Sequence, residues 1–499
     1  MHENIRDLLP AECFSRGTLW IGGQWCCAAD AGSFAVTSPI DDRHLMVASR
    51  AQATDADRAV RAAKSVATSW AGDSGKRSAL MLRIGEEIRK HAQELGTIET
   101  VDSGRPISET TTDSVQHAAG LFDYYAGLTD KLHGSTVPMG NDTTALIERE
   151  PFGVIGAISA WNYPLLNAAT KIAPILACGN TIVLKPAEQS PLVTLLLAAL
   201  MQQAGLPDGV VNILTGFGPE AGAPLITHPM VSKVSFTGSM ETGRRVAAAA
   251  GEALKGVILE LGGKSPLVVF DDADLPRAAS AAVFSTFKNA GQTCTSCARV
   301  LVARPLIEQF VTLCSAIAAD LRVGDPSDPE TQIGPLISAE QLARVRRLIA
   351  GVDARHVCEK RYRPVPGGHF FPPMIVTKYA FDSDFARQEI FGPIMAVRPF
   401  DTDEEAWQLA NETEYGLAAS VWTSSLHRAE RARRLIECGI VWINCAHTLS
   451  AGTPIGGHKA SGLGIEHGVE AAEQYMKVKT SVLMSGGWHS PFGMRSAST

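Results

Sequence analysis

From residue 154 onward the chain repeats one pattern: a short apolar, largely β-branched run, then a stretch with helical spacing, then another run. VIGAIS is followed by a helix starting near Pro164, TIVLK by a helix over 191–204, VNILTG by a short helix, and KVSF by a helix over 240–250. Strands with no polar face that alternate with helices predict a parallel sheet covered on both sides, and such sheets bind ligands beyond the carboxyl ends of their strands. Past Leu261 a second unit of the same kind begins, with strands at 266–270 and 300–302 and helices within 305–321 and over 338–350. The expected class is α/β: a doubly wound parallel-sheet unit followed by a second α/β unit. A length of 499 residues is consistent with two or three domains.

Three stretches of the rest read differently. WIGGQW at 20–25 has the form of a hairpin. Residues 131–150 carry two β-like runs around 139–142, and the tail at 475–484, YMKVKTSVLM, partly alternates apolar and polar residues; together they predict a strand–turn–strand arm with the tail as its partner. Amphipathic surface helices are expected over 55–67 and 76–95, and a further helix over 114–132.

The chemistry-bearing stretch is FKNAGQTCTSCAR, 287–299, read with LELGGK at 259–264. Cys294 follows a Gly-Gln turn at the end of a helix-like run and precedes a strand, a boundary position that suits a nucleophile. A thiol reacts as its thiolate, so the site needs neighbours that favour the anion and a group that moves protons; Glu260, just ahead of the Gly262–Gly263 turn, is the candidate. A lone cysteine is more often a small buried apolar residue. Cys297 makes the spacing C-T-S-C, which also fits a redox pair or half a zinc site, but no second CxxC or HxxxH completes a metal set. No metal is expected. In FTGSMETG, 236–243, a strand ends in Thr-Gly and Ser239 stands at a helix N-cap, a place for a pyrophosphate as well as for a plain cap. GFGPEAG at 216–222 is a loose relative of a glycine-rich phosphate loop.

Seven motifs occur in order: AWNYP (160–164), LKPAEQSP (184–191), FTGSMETG (236–243), LELGGKSP (259–266), GQTC (291–294), EIFGP (389–393) and PIGGHKASGLG (454–464). In these the chain resembles the NAD(P)-dependent aldehyde dehydrogenases, over about 19–482. The resemblance implies a cofactor domain from 1–128 and 152–262, a catalytic domain from 263–460, and an oligomerisation arm from 129–151 and 475–499. It implies Cys294 as nucleophile, Asn162 with the Cys294 backbone N–H as oxyanion hole, Glu260 as the base that delivers water, and Lys171 with Glu466 as a proton route. The cofactor NAD, with NADP possible, would be held by Trp161, Lys185, Glu188, Gly218, Phe236, Gly238, Ser239, Leu261, Glu389 and Phe391. A carboxylate at Glu188 would repel a 2′-phosphate and tilts the choice to NAD. The presence of Glu260 implies the hydrolytic and not the coenzyme-A-acylating type.

The substrate end departs from the family pattern. Ile455 removes an aromatic, Thr170 stands where many members carry tryptophan, and Ile465 replaces an arginine. His117, Tyr163, Cys297, His447 and Leu449 complete the expected pocket. Only Tyr163 remains of an aromatic box, which disfavours betaine aldehyde, and no arginine for a semialdehyde can be placed. The expectation is a medium aliphatic or aromatic aldehyde, with a semialdehyde or amino-aldehyde as the alternative. A non-catalytic structural homologue should lack the nucleophile, and a thiol redox protein would use Cys294 with Cys297.

A net charge of −7 with scattered basic residues offers no footprint for nucleic acid. The N-terminal stretch lacks a basic n-region and no apolar run approaches a membrane span. Ten cysteines without a framework suggest free thiols in the cytoplasm, and the arm suggests a homotetramer or homodimer.

Overall fold

The computed structural model describes residues 5–488, 490 and 492; the last part of the expected arm, 489, 491 and 493–499, lies outside the described residues. Two parallel-strand sheets carry the chain. The first has eight strands, and its five central ones, Val211–Ile213, Thr181–Lys185, Val154–Ile158, Val231–Thr237 and Gly256–Glu260, run parallel in that order. The strand Val154–Ile158 and both its neighbours are buried on both faces almost throughout, which is why they read as continuous apolar runs. The hairpin of Leu19–Ile21 and Gln24–Cys26, paired Trp20 to Trp25, closes one edge; Gly462–Leu463 closes the other against Glu260 and Leu259.

The second sheet has seven strands in the order Asp353–His356, Met374–Lys378, Ile394–Phe400, Arg299–Ala303, Pro266–Val269, Ala418–Trp422 and Ile440–Ile443, all parallel except the first. The chain crosses from sheet to sheet through the five residues after Glu260, so the carboxyl edge of the first sheet faces the amino edge of the second. Each sheet has its own apolar core, one built around Phe122, Leu165 and Ile172, the other around Phe287, Val300 and Phe310.

The arm is a three-stranded antiparallel sheet in which Thr143–Pro151 lies between Ser135–Pro138 and Met476–Met484. Two helix expectations are corrected. The helix expected over 76–95 is broken at His91 (φ −104°, ψ 32°), whose N–H bonds the Glu87 carbonyl at the end of Ser74–Lys90 and whose carbonyl accepts from the Leu95 amide at the start of Ala92–Ser103. The helix expected over 114–132 is Val115–Ala126, preceded by a π-turn at Thr110–Ser114 and stopped at Gly127. In both cases apolar spacing persists across the boundary, and periodicity alone does not register the break.

Candidate active site

Three loops meet where the sheets face each other. The first leaves Val154–Ile158 and carries Trp161 and Asn162 to the start of the helix Pro164–Ala177. The second is the turn after Glu260. The third, 288–298, brings Cys294 to the amino end of Arg299–Ala303. It opens with three consecutive left-handed residues, Asn289 (φ 52°), Ala290 (φ 53°) and Gly291 (φ 76°). Glycine is required at 291, because a Cβ there would lie 2.1 Å from the Gly392 carbonyl oxygen. Left-handed conformation at two other residues persists only where surrounding contacts impose it.

Those contacts come from the first loop. Asn289 Nδ2 donates to the Asn162 carbonyl at 2.9 Å, Asn162 Nδ2 donates to the Gln292 carbonyl at 3.1 Å, and Tyr163 Oη bonds Thr293 Oγ1 at 2.7 Å. Asn167 Nδ2 in turn donates to Asn162 Oδ1 at 3.2 Å and fixes the direction of its amide. Asn162 is thus held with its N–H groups two residues from Cys294. Gln292 was not singled out in the sequence, yet it braces the loop from both ends of its side chain: Nε2 donates to Asn289 O, and Oε1 accepts from the Ile337 amide.

Cys294 is partly exposed and unpaired, and Cys297, also a free thiol, is fully buried. Cys297 therefore lines no open surface, which corrects its expected place in the pocket; it packs with Phe287 and Val300 in the second core. The electrostatics of Cys294 also differ from the expectation of an anion-favouring neighbourhood. Burial pushes its thiol up to about 12, and the carboxylates of Glu260, Glu389 and Glu466 push the same way, with the Thr295 amide opposing them. The resting sulfur is a thiol, and a base must take its proton.

Glu260 is buried, and its Oε1 has no hydrogen-bond partner among the described residues. Burial first, then Glu466, hold its carboxyl well above the usual range, while Lys171 opposes them. Lys171 Nζ donates to Glu466 Oε1 at 2.8 Å and to Ser235 Oγ at 2.9 Å, entirely out of solvent. Cys294, Glu260, Glu466 and Lys171 therefore form one coupled set. Ser235 enters it unannounced by the sequence, as one more residue of an apolar strand.

The expected cofactor residues lie around the carboxyl edge of the first sheet. Ser239 Oγ accepts from the Thr242 amide at 3.2 Å and caps the helix Met240–Glu252, while Gly238 sits on the Phe236 ring, where a Cβ would come within 2.5 Å of it. Phe236 and Leu261 are themselves core residues beneath this surface. Space is open above Gly218. Lys185 Nζ donates to the carbonyls of Pro186 and Gly216 and to Glu188 Oε2 at 3.1 Å, and burial holds its ammonium below the usual lysine range. Glu389 Oε1 accepts from the Gly263 amide at 3.0 Å, its carboxyl raised to about 7 by burial against the pull of that amide, Arg344 and Lys264. Phe391, left-handed at φ 57°, meets the Trp161 ring edge to face at 5.3 Å. A glycine-floored helix start, a lysine–glutamate pair and a carboxylate beside the cysteine loop fit the phosphates and two riboses of a dinucleotide.

The expected substrate residues divide. Tyr163 is stacked under the Arg105 guanidinium, 4.1 Å from its centroid. Arg105 is fully buried and committed to Glu99, Ser114 and Glu109. Thr170 Oγ1 bonds His467 Nε2 at 3.1 Å, a polar pair the sequence did not announce. His447 is bonded to Ser285 and Thr295, Leu449 and Ile455 pack against the second core, and His117 is exposed with Nδ1 on the Asp113 carbonyl. Among the described residues no group of histidines, cysteines and carboxylates could hold a metal, and no helix is long and apolar enough to cross a membrane.

The model of the aldehyde dehydrogenase family matches residues 25–481. Among solved structures, the NAD+ complex of an aldehyde dehydrogenase from Bacillus cereus is 37% identical, with 95% of this chain and 98% of that one covered and a TM-score of 0.91. An indole-3-acetaldehyde dehydrogenase with NAD+ is 36% identical over 94% of this chain and 97% of that one, TM-score 0.90. An E. coli NADP-dependent enzyme is 33% identical over 96% and 99%, TM-score 0.91. With the family model over most of its length and this fold, the chain belongs to the aldehyde dehydrogenase family and is an NAD(P)-dependent oxidoreductase that oxidises aldehydes.

Proposed function

We propose that the protein oxidises a medium aliphatic or aromatic aldehyde to the carboxylic acid with NAD+, through a covalent cysteine intermediate. Glu260 takes the Cys294 proton, and the sulfur adds to the aldehyde carbon to give a thiohemiacetal oxyanion. The Asn162 amide and the Cys294 backbone N–H receive that charge; one such donor is typically worth around 10²–10³ in rate. The bound nicotinamide supplies the hydride acceptor. Cys294 then holds a thioester, and Glu260, once deprotonated toward Glu466 and Lys171, activates the water that releases the acid. Trp161, Gly218, Ser239, Glu389 and Phe391 would hold the cofactor, with Glu188 favouring the unphosphorylated ribose.

The observation that carries this reading is the Asn162 amide, oriented by Asn167 and bonded to the Gln292 carbonyl two residues before Cys294, with the buried Glu260 at the end of the neighbouring strand raising the Cys294 thiol. For the substrate class, the support is that Arg105, stacked on Tyr163, is already engaged by two carboxylates and is not available to a semialdehyde acid group. We also assign residues 1–128 and 152–262 to cofactor binding, 263–460 to catalysis, and the arm to a homo-oligomer interface, a role supported by the exposed Val137, Val478 and Val482 on its strands. Free cysteines throughout favour the cytoplasm.

The test is a panel of aldehydes scored by absorbance of the reduced nicotinamide, with NAD+ and with NADP+. Medium aliphatic and aromatic aldehydes with NAD+ should dominate; a profile led by betaine aldehyde or by a semialdehyde would overturn the substrate class.

A further inference from the structure

His447 stands in a loop that is rigid for its own reasons. Asn444, left-handed at φ 53°, exchanges side-chain bonds with both backbone groups of Thr423, and Trp442 Nε1 donates to the Thr448 carbonyl at 3.0 Å. His447 is also left-handed, at φ 55°, and its ring stacks on Trp442 at 5.4 Å and meets the edge of Phe284 at 5.8 Å. The imidazole has few orientations open to it.

One ring nitrogen faces the cysteine loop and the other the helix Leu275–Phe287 that leads into it. Nδ1 lies 3.4 Å from Thr295 Oγ1, and Nε2 lies 2.8 Å from Ser285 Oγ, which itself accepts from the Cys297 amide at 3.0 Å. Ser296 Oγ adds a bond to the Ser285 carbonyl. Both partners of the ring are hydroxyls, so a neutral imidazole satisfies one as donor and the other as acceptor in either tautomer. Burial and Lys288 push the ring down to about 4, which keeps it neutral through the physiological range. One side chain thereby ties down the residue after Cys294 and, through Ser285, the residue three after it. Asn162 and Tyr163 hold the other side of the same loop.

We propose that His447 is a positioning residue for Cys294: by fixing Thr295 and Ser285 it holds the backbone that follows the nucleophilic sulfur in place. The proposal rests on Cys294 being the nucleophile. The Thr295 amide lowers the thiol while Glu260, Glu389 and Glu466 raise it, so a rotation of Thr295 weakens a contribution that favours the anion. This assigns His447 to the enzyme's own loop and not to contact with the aldehyde.

The experiment is the pH dependence of Cys294 carbamidomethylation by iodoacetamide in the full chain, followed on the 287–299 region by mass spectrometry, beside kcat and KM for straight-chain aldehydes of increasing length. His447→Ala should move the alkylation midpoint up by about one unit, roughly tenfold slower labelling at a fixed pH below it, and lower kcat with KM unchanged along the series. His447→Asn, whose amide nitrogen reaches the place of Nδ1, should restore most of the midpoint. Thr295→Val removes the hydroxyl isosterically, leaves the histidine in place and should give the same upward shift, which keeps the test open should His447→Ala fail to fold. An unmoved midpoint in Thr295→Val, or in His447→Ala with KM changing with chain length, would overturn the proposal and make His447 a substrate contact. Labelling reads the sulfur without turnover. Loss of the dehydrogenase reading would instead appear as full activity in Cys294→Ser.

Discussion

Lys171 and Glu466 form an ion pair, Nζ to Oε1 at 2.8 Å, with the lysine wholly removed from solvent and both charges acting on Glu260 in opposite directions. Glu466 raises the Glu260 carboxyl and Lys171 lowers it. The base is active only when deprotonated, so the acid-releasing step should speed up with rising pH through the raised Glu260 value. Lys171→Met should shift that pH profile upward and Glu466→Gln should shift it downward, each by about one unit, read by single-turnover release of the acid. Shifts in the same direction would show that the pair does not tune Glu260.

Glu260→Gln should leave the first hydride transfer partly intact and stall the thioester. The expected record is a burst of reduced cofactor near one equivalent per site, followed by turnover lowered by about 10²–10⁴-fold, the usual span for removal of a general base. Because Glu260 pushes the Cys294 thiol up, the variant should also alkylate at lower pH than the parent.

Asn162→Ala should lower kcat/KM by around 10²–10³ through loss of an oxyanion donor. Asn162 Nδ2 also bonds the Gln292 carbonyl, so a stability loss of roughly 1 kcal/mol is expected alongside. Thermal unfolding separates the two effects: a fall in rate with a nearly intact transition is the expected result.

Glu188→Ala should move cofactor preference toward NADP. The carboxylate lies 3.1 Å from Lys185 Nζ and is only partly exposed, and its removal leaves that ammonium facing the place of a ribose 2′-group. The ratio of kcat/KM for the two cofactors is expected to shift by about tenfold, the equivalent of roughly 1.4 kcal/mol. An unchanged ratio would take Glu188 out of the selectivity.

Cys297→Ala should retain turnover while Cys294→Ser loses it. Cys297 is fully buried with its thiol pushed up to about 12, first by burial, so it is neither accessible nor anionic near neutrality. Its substitution removes one buried sulfur and should cost about 1–2 kcal/mol in denaturant unfolding. A shared loss of activity in both variants would favour a redox pair.

Local order carries a long way in this chain. Apolar strand runs between helical stretches dictate two parallel sheets, and motifs such as LELGGK and GQTC stand at strand ends because a reactive residue must leave the packed element to be reached. What linear order does not contain is the field those residues meet. Linear order suggests groups that favour the Cys294 anion, and folding instead sets three carboxylates around it, Glu260, Glu389 and Glu466, from distant points along the chain. Cys297, three residues on, passes into the core because the backbone leaves the loop for the strand Arg299–Ala303. Asn162 finds its partner across the facing sheets, whereas Lys171 and His447 find theirs on distant stretches packed within one unit; in each case hydrogen bonds of 2.8–3.4 Å depend on three-dimensional approach and not on spacing along the chain.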